Sequence, residues 1–154
     1  MQVADGIRFG AANEPPVRFP VQLTGLSPAF RVRSVHYVAD AGVLRAKEFT
    51  LAGAGVWAPA FTTGLATPNS SCYFYPGQSR HRRINGYEVT VNHFKARPSV
   101  PAEQQVCAAD ADGLSEFIST FGREHGFPNA VAVFAHHLKP LGTNPANWTT
   151  RPLG

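Results

Sequence analysis

The sequence predicts an α+β fold, with a twisted, mostly antiparallel sheet of about five to seven strands and one carboxy-terminal helix packed on a face. Three observations support this prediction. Fourteen glycines and thirteen prolines are spread along the chain, which indicates many short connections between strands. Turn-forming residue pairs separate segments in which apolar and polar residues alternate. One segment near the carboxyl end shows helical periodicity instead.

The chain length is that of one ordinary domain. It has 154 residues, 44% of them hydrophobic, and neither an internal repeat nor a low-complexity block. We therefore expect residues 1–154 to form a single globular domain. Its longest apolar-rich stretches fall far short of the ~20 residues needed to cross a bilayer, so no transmembrane segment is predicted.

The first predicted hairpin joins "FRVRSVHYV" to "VLRAKEFTL" through the turn signal "ADAG" at 39–42. Phe30 and Val32 have one parity, whereas Val35 and Tyr37 have the other. A β-bulge near Ser34 would bring all four side chains to the same face.

The next segment predicts irregular structure and then a short strand. Residues 52–71 are rich in Gly, Pro, Thr and Ser, which favours a loop held in place by Trp57 and Phe61. "CYFYP" at 72–76 is typical of a short strand, which Pro76 must end or place at an edge because proline lacks the N–H that a ladder needs.

Two tight turns define the remaining hairpins. Asn85-Gly86 favours a type I′ turn because both residues tolerate positive φ. Counting outward from this turn places Arg82 opposite Val89 and Arg80 opposite Val91. A third hairpin is predicted from "EQQVCAA" and "GLSEFISTFG", joined through Asp112-Gly113.

The helix is predicted to begin at Pro128, a residue favoured at the first helical position. Val131, Phe134, Leu138 and Leu141 follow at spacings of three and four, and Pro140 limits the helix. This apolar stripe should cover one face of the sheet. In the tail "NPANWTTRPLG", Trp148 and Leu153 are expected to anchor the chain to the domain.

The two cysteines, Cys72 and Cys107, are predicted to form a disulfide. They are 35 positions apart, lie beside apolar segments, and have neither a CxxC pattern nor histidines at zinc spacing. The alternative is two unrelated buried thiols in a cytosolic protein. A disulfide would indicate an extracytoplasmic compartment.

The net charge is concentrated in one segment. Between Arg80 and Arg97 there are five cations and one anion, a local excess that equals the whole formal charge of +4. Two interpretations follow: an edge strand protected by charge, or a surface that binds an anionic partner, a lipid headgroup or a protein. The candidate binding residues are Arg80, Arg82, Arg83 and Lys95. The charge pattern argues against nucleic acid as a partner, because nucleic-acid-binding domains usually carry a larger basic excess with interleaved aromatics.

Other chemical patterns are weak. "DADG" at 110–113 lacks both key carboxylates of a calcium loop, so it favours a turn. His136 and His137 are adjacent and would diverge by about 100° on a helix, so they cannot chelate one ion. We find neither a GxSxG elbow nor a glycine-rich phosphate loop. The sequence therefore predicts no catalytic residue, no metal site and no cofactor.

Three segments carry a resemblance. "NGYEVTV", "VCAADADGL" and "NPANWTTRPL", within roughly the last seventy residues, resemble a group of secreted or membrane-tethered actinobacterial proteins of unknown function that end in a short helix and a "DPAxWTT" tail. The resemblance implies an extracytoplasmic location and supplies no activity, catalytic residue or cofactor.

These observations favour a non-catalytic, extracytoplasmic domain that recognises a ligand or a partner protein. The alternative is a small hydrolytic enzyme whose histidines and aspartates are brought together by folding. A deep pocket in which two histidines and a carboxylate converge would favour the enzyme.

Overall fold

The computed structural model describes residues 2–3, 15–40, 42–122 and 126–154. Within these ranges the chain forms a strand-rich α+β fold whose strands, in chain order, are β1 (Gln2–Val3), β2 (Val17–Arg18), β3 (Val21–Leu23), β4 (Arg31–Asp40), β5 (Val43–Ala52), β6 (Ala60–Leu65), β7 (Ser79–Ile84), β8 (Tyr87–Phe94), β9 (Glu103–Ala111), β10 (Leu114–Phe121) and β11 (Leu138–Pro140).

Nine of these strands form the main sheet. Its order is β1-β4-β5-β6-β10-β9-β8-β7, and β2 adds to β5 as a parallel strand. All other pairings are antiparallel. The count exceeds the predicted five to seven because β1 and β2 are two-residue strands that carry no alternation signal. Strands β3 and β11 form a separate two-stranded sheet.

The hairpin β4–β5 confirms the first predicted turn and bulge. The register shifts between Val32 and Ser34, which leaves Arg33 unpaired on β4 and puts Val32 and Val35 on the same face. Residues 52–71 correct a prediction, because β6 lies within the expected loop. Phe61 and Thr63 point into the core from β6, and this short alternation was obscured by Gly64 and by the glycines that precede it.

The segment "CYFYP" is the second correction. Residues 71–75 form no strand, although a short one was predicted. Cys72 is bonded to Cys107 of β9, as expected from the sequence. The Cα atoms of the two residues are 5.7 Å apart, so the segment is held over a face of the sheet instead of pairing at its edge.

The two later hairpins have the predicted turns. Asn85 and Gly86 have φ values of 52° and 83°, and Asp112 and Gly113 have 55° and 83°. These left-handed values are the ones that Asn, Asp and Gly tolerate best. The β7–β8 register is the predicted one, with Arg82 opposite Val89 and Arg80 opposite Val91.

The helix is shorter than predicted. Helix α1 (Ala130–Ala132), capped by the side chain of Asn129, continues directly into a π-helical segment (Val133–His137). Leu138 was expected on the helix, but it lies in β11 and pairs with Leu23. Phe134 is buried as expected, together with Ala130 and Val133, whereas Leu138 is only partly buried against the core.

One face of the main sheet, here called the core face, carries a continuous row of directly opposed residues. The row runs across seven strands in the order Val35, Phe49, Phe61, Ile118, Val106, Val91 and Arg80. The six apolar members are almost fully buried, and the row ends at the exposed Arg80. Helix α1 covers this face, since the backbone N–H groups of Ala130 and Val131 donate to Thr120 and Gln104.

The carboxy-terminal tail is anchored as predicted. The indole Nε1 of Trp148 donates to the carbonyl of Gly142 at 2.8 Å, and this side chain is buried. Leu153 forms a bridge with Leu23, and Thr149 forms one with Phe19. These contacts bind the end of the chain to the strands that precede β4.

Candidate functional site: a basic groove at the sheet edge

Strand β7 is an edge of the main sheet and carries four consecutive exposed residues, 80–83. Arg80 and Arg82 point to the core face, beside the buried Val91 and Val89 of β8. Both arginines are exposed, although the valines opposite them are buried. Residues 80–83 are exposed at the edge of the sheet as predicted, whereas Ile84 is buried.

An open groove of about 1300 Å³ runs around this edge where β7 begins. Its lining comes from both faces of the sheet: Arg80, Arg82 and His93 lie on the core face, whereas His81 and Phe94 lie on the opposite face. We call this opposite face, which bears Cys107, the loop face. The turn after β8 supplies Lys95 and Arg97 to the lining.

The structure brings together three of the four predicted binding residues. Arg80, Arg82 and Lys95 all line the groove, whereas Arg83 does not. The side chain of Arg83 projects from the loop face, where its Nε lies 2.9 Å from Glu88 Oε1 in an exposed ion pair. Arg97 takes the fourth place, because a bridge between Arg97 and Val100 folds the β8–β9 connection back.

The cations of the groove have no carboxylate partner among the described residues. The ion pairs found among the described residues are Arg83–Glu88 and Arg45–Asp40, and both lie outside the groove. Glu103 lines the groove, but its Oε1 accepts hydrogen bonds from Gln105 and Ser119, each at 2.7 Å. Gln105 in turn accepts from Asn92, whose Oδ1 accepts from Ser79. The one carboxylate in the lining is therefore held by neutral donors along the sheet.

Aromatic side chains that were not predicted from the sequence to belong to the site form its second part. Phe74 stacks on His81 with ring centroids 4.8 Å apart, and Tyr75 packs edge-on against Phe94 at 5.2 Å. Tyr73 is 71% exposed and contacts Tyr75. The Cys72–Cys107 disulfide fixes this segment on the loop face. The signal for it was present in "CYFYP", three consecutive aromatics directly after a cysteine.

Two histidines lie in the groove, but among the described residues they do not come together with a carboxylate. His81 and His93 both line the groove, but they project from opposite faces of the sheet. The hydrogen-bond partners found for them are Thr90 and Gln104, both uncharged. In the described ranges no group of three His, Cys, Asp or Glu side chains could hold a metal ion.

The "DADG" segment is a hairpin turn whose two aspartates make local hydrogen bonds. Asp110 Oδ1 accepts from the backbone N–H of Gly113 at 2.8 Å, and Asp112 Oδ2 accepts from the hydroxyl of Tyr87 at 2.6 Å. The hydrogen bond to Asp112, with burial, raises the pKa of Tyr87 to about 12. The first bond lies within the turn, and the second joins the turn to Tyr87 of the β7–β8 hairpin.

Comparison of the chain with protein-family models, with curated proteins and with solved structures gives no match. No helix within the described residues is long and apolar enough to span a membrane.

Proposed function

We propose that this protein is a non-catalytic, extracytoplasmic domain that recognises an anionic ligand or partner protein through the basic groove. The observation that carries the proposal is the set of four cations around one groove, with no carboxylate partner among the described residues: Arg80, Arg82, Lys95 and Arg97. Cations that are not neutralised within the protein attract an anion from solution.

The open shape of the groove supports recognition of an extended or surface-borne anion. A small-molecule site usually encloses most of its ligand, whereas this groove wraps around an edge strand and leaves residues 80–83 exposed. Phe74 and Tyr75 supply apolar contact area next to the cations. Charge with adjacent aromatic surface suits a polymeric or protein partner.

The disulfide supports the extracytoplasmic location. Cys72 and Cys107 are bonded, and the described residues contain no free cysteine. Disulfides persist in oxidising compartments and are rare in the cytosol. The location can be tested separately from the binding, by fractionating cells that produce the tagged protein and alkylating its cysteines before lysis.

Titration of an acidic polymer, such as poly-glutamate, at low and high ionic strength tests the binding. We expect binding at low salt that weakens steeply as salt rises, because exposed charges are screened. The variant R80Q/R82Q should bind at least about tenfold more weakly, which corresponds to the loss of a few charge contacts.

A matched control removes the same charge elsewhere. Arg31 and Arg33 are also exposed and lie on β4, far from β7 in the strand order. The variant R31Q/R33Q should bind the polymer like the wild type. Absence of binding at low salt, or equal loss in both variants, would overturn the proposal.

A further inference from the structure

Two residues of β7 direct their backbone groups away from the sheet. In a hairpin with a two-residue turn, the two residues that flank the turn, here Ile84 and Tyr87, exchange two backbone hydrogen bonds. Along the ladder such hydrogen-bonded pairs alternate with pairs that are not bonded to each other. Arg82 and Arg80 therefore bond to β8, as does Gln78, whose carbonyl accepts from His93 at 2.9 Å. It follows that the N–H and C=O groups of His81 and Arg83 point outward.

Among the described residues no strand pairs with this outer side of β7. The chain before it covers only its beginning, where the N–H of Ser79 donates to the carbonyl of Tyr75. The outward groups of His81 and Arg83 are thus available to an added strand. This is the arrangement by which an extended peptide joins a sheet edge.

The side chains define which sequence such a strand would carry. A residue opposite His81 would lie on the loop face, next to the stacked rings of Phe74 and His81. The two residues on either side of it in the added strand would lie on the core face, opposite Arg80 and Arg82. The Cβ atoms of directly opposite residues are about 5 Å apart. Carboxylates at these two positions would pair with the arginines, and an aromatic residue between them would stack on Phe74.

We infer that β7 is the acceptor edge for an extended, antiparallel segment of a partner protein in which two acidic residues flank an aromatic one. This inference rests on the proposed function and names the class of partner. The arginines that protect the free edge from other strands also select an acidic one, because any other strand would leave Arg80 and Arg82 unpaired beside it.

Peptides test the inference on the wild-type protein. The probe is a short acetylated and amidated peptide with two glutamates separated by one phenylalanine and flanked by threonines. A second peptide is N-methylated at the phenylalanine, so it has the same charge but cannot donate to the carbonyl of His81. We expect it to bind at least about tenfold more weakly by fluorescence anisotropy, because a backbone hydrogen bond is lost and the methyl group obstructs pairing. Equal binding of both peptides would overturn the inference and leave the proposed function intact.

A variant pair tests the same point on the protein. His81→Pro removes one outward N–H without removing a bond to β8, and edge strands accept proline at such positions. His81→Ala is the control, because it removes the imidazole and keeps the N–H. We expect His81→Pro to bind the peptide at least about tenfold more weakly than His81→Ala, whereas the two variants should bind poly-glutamate equally. Peptide binding by a folded His81→Pro equal to that of His81→Ala would overturn the inference; if His81→Pro fails to fold, the methylated peptide decides.

Hydrogen exchange of wild-type protein with the peptide bound gives a direct readout. The backbone amides of His81 and Arg83 should become protected, whereas poly-glutamate held only by side chains should leave them exchanging at the free rate. Vesicles of phosphatidylserine and phosphatidylcholine provide the competing case. Tight binding to these vesicles, with no protection of either amide by the peptide, would overturn the inference in favour of a lipid surface.

Discussion

Thr63 on β6 donates a 2.8 Å hydrogen bond from its hydroxyl to Oε1 of Glu116 on β10, and both residues are buried in the core. The two residues are direct partners in the β6–β10 register. Burial raises the pKa of Glu116 to about 8, and the hydrogen bond from Thr63 opposes this shift. The carboxyl group is therefore mostly protonated at neutral pH.

This buried carboxyl predicts that the protein becomes less stable as pH rises from about 4.5 towards 8. The pKa in the folded state is about 8, above the ordinary value of 4.5, so the folded protein binds this proton more tightly than the unfolded chain. The stabilisation that this group contributes is complete at pH values below 4.5 and is lost as the pH rises to about 8. Between these values the free energy of unfolding falls by at most about 1.4 kcal/mol per pH unit.

Chemical denaturation of Glu116→Gln across this pH range measures the effect. The amide oxygen can still accept from Thr63 but does not titrate, so the variant should lack this part of the slope. Glu48→Gln, at an exposed position of β5, is the control and should retain it. A slope in Glu116→Gln equal to that of the wild type would contradict the assignment.

Removal of the disulfide should destabilise the protein by about 3–4 kcal/mol, because the unfolded chain regains the freedom of a loop with a sequence separation of 35. The double variant C72S/C107S tests this by chemical denaturation. A reducing agent should destabilise the wild type to a similar extent and leave the double variant unchanged. Recovery of two alkylated thiols from protein purified under oxidising conditions would contradict the bridge.

Phe134→Ala should cost about 3–5 kcal/mol. The side chain is 2% exposed and packs edge-on against Tyr87, so its removal leaves a cavity between the helix and the β7–β8 hairpin. Val131→Ala, on the same helix but only partly buried, is the comparison and should cost less. A loss below about 1 kcal/mol for Phe134→Ala would mean that the helix contributes little to the core.

The parts of the fold that depend on local backbone chemistry were predictable from the sequence. Asn85-Gly86 specified its turn because few other pairs tolerate two positive φ values, and the turn then fixed the register that places Arg80 opposite Val91. The bulge near Ser34 followed from a change in the parity of the apolar residues. Each of these signals lies within a few residues of the structure that it specifies.

Two segments whose structure depends on distant contacts were not predictable from their local pattern. Leu138 continues the helical spacing, but its backbone pairs with Leu23, more than a hundred positions earlier in the chain. "CYFYP" has the composition of a strand, but the bond from Cys72 to Cys107 places it over the sheet. In each case a tertiary contact determines the structure against the local pattern.

The candidate site shows the same division. The basic segment was evident from the charge distribution, and its position at an edge followed from the hairpin register. The sequence could not show that Arg83 turns to the other face and pairs with Glu88, or that Arg97 takes a place in the groove. Both depend on how the β8–β9 connection and the edge fold in three dimensions.

Replacing the two core-face arginines of β7 by threonine should leave the fold intact and increase self-association. R80T/R82T removes the charges that repel a second copy of the same edge, and threonine favours extended structure. The outward backbone groups of His81 and Arg83 remain able to pair. Sedimentation velocity over a range of concentrations measures the association, and circular dichroism with thermal melting checks the fold.

The control for this prediction is R31T/R33T, which removes the same charge from β4. Strand β4 pairs with β5 on one side and, at Ser34 and Val35 directly beside these arginines, with β1 on the other, so its outer side is already partly occupied. This variant should associate like the wild type at every concentration. Equal association of the two variants would attribute the effect to net charge alone, and no increase in R80T/R82T would mean that the arginines do not protect the edge.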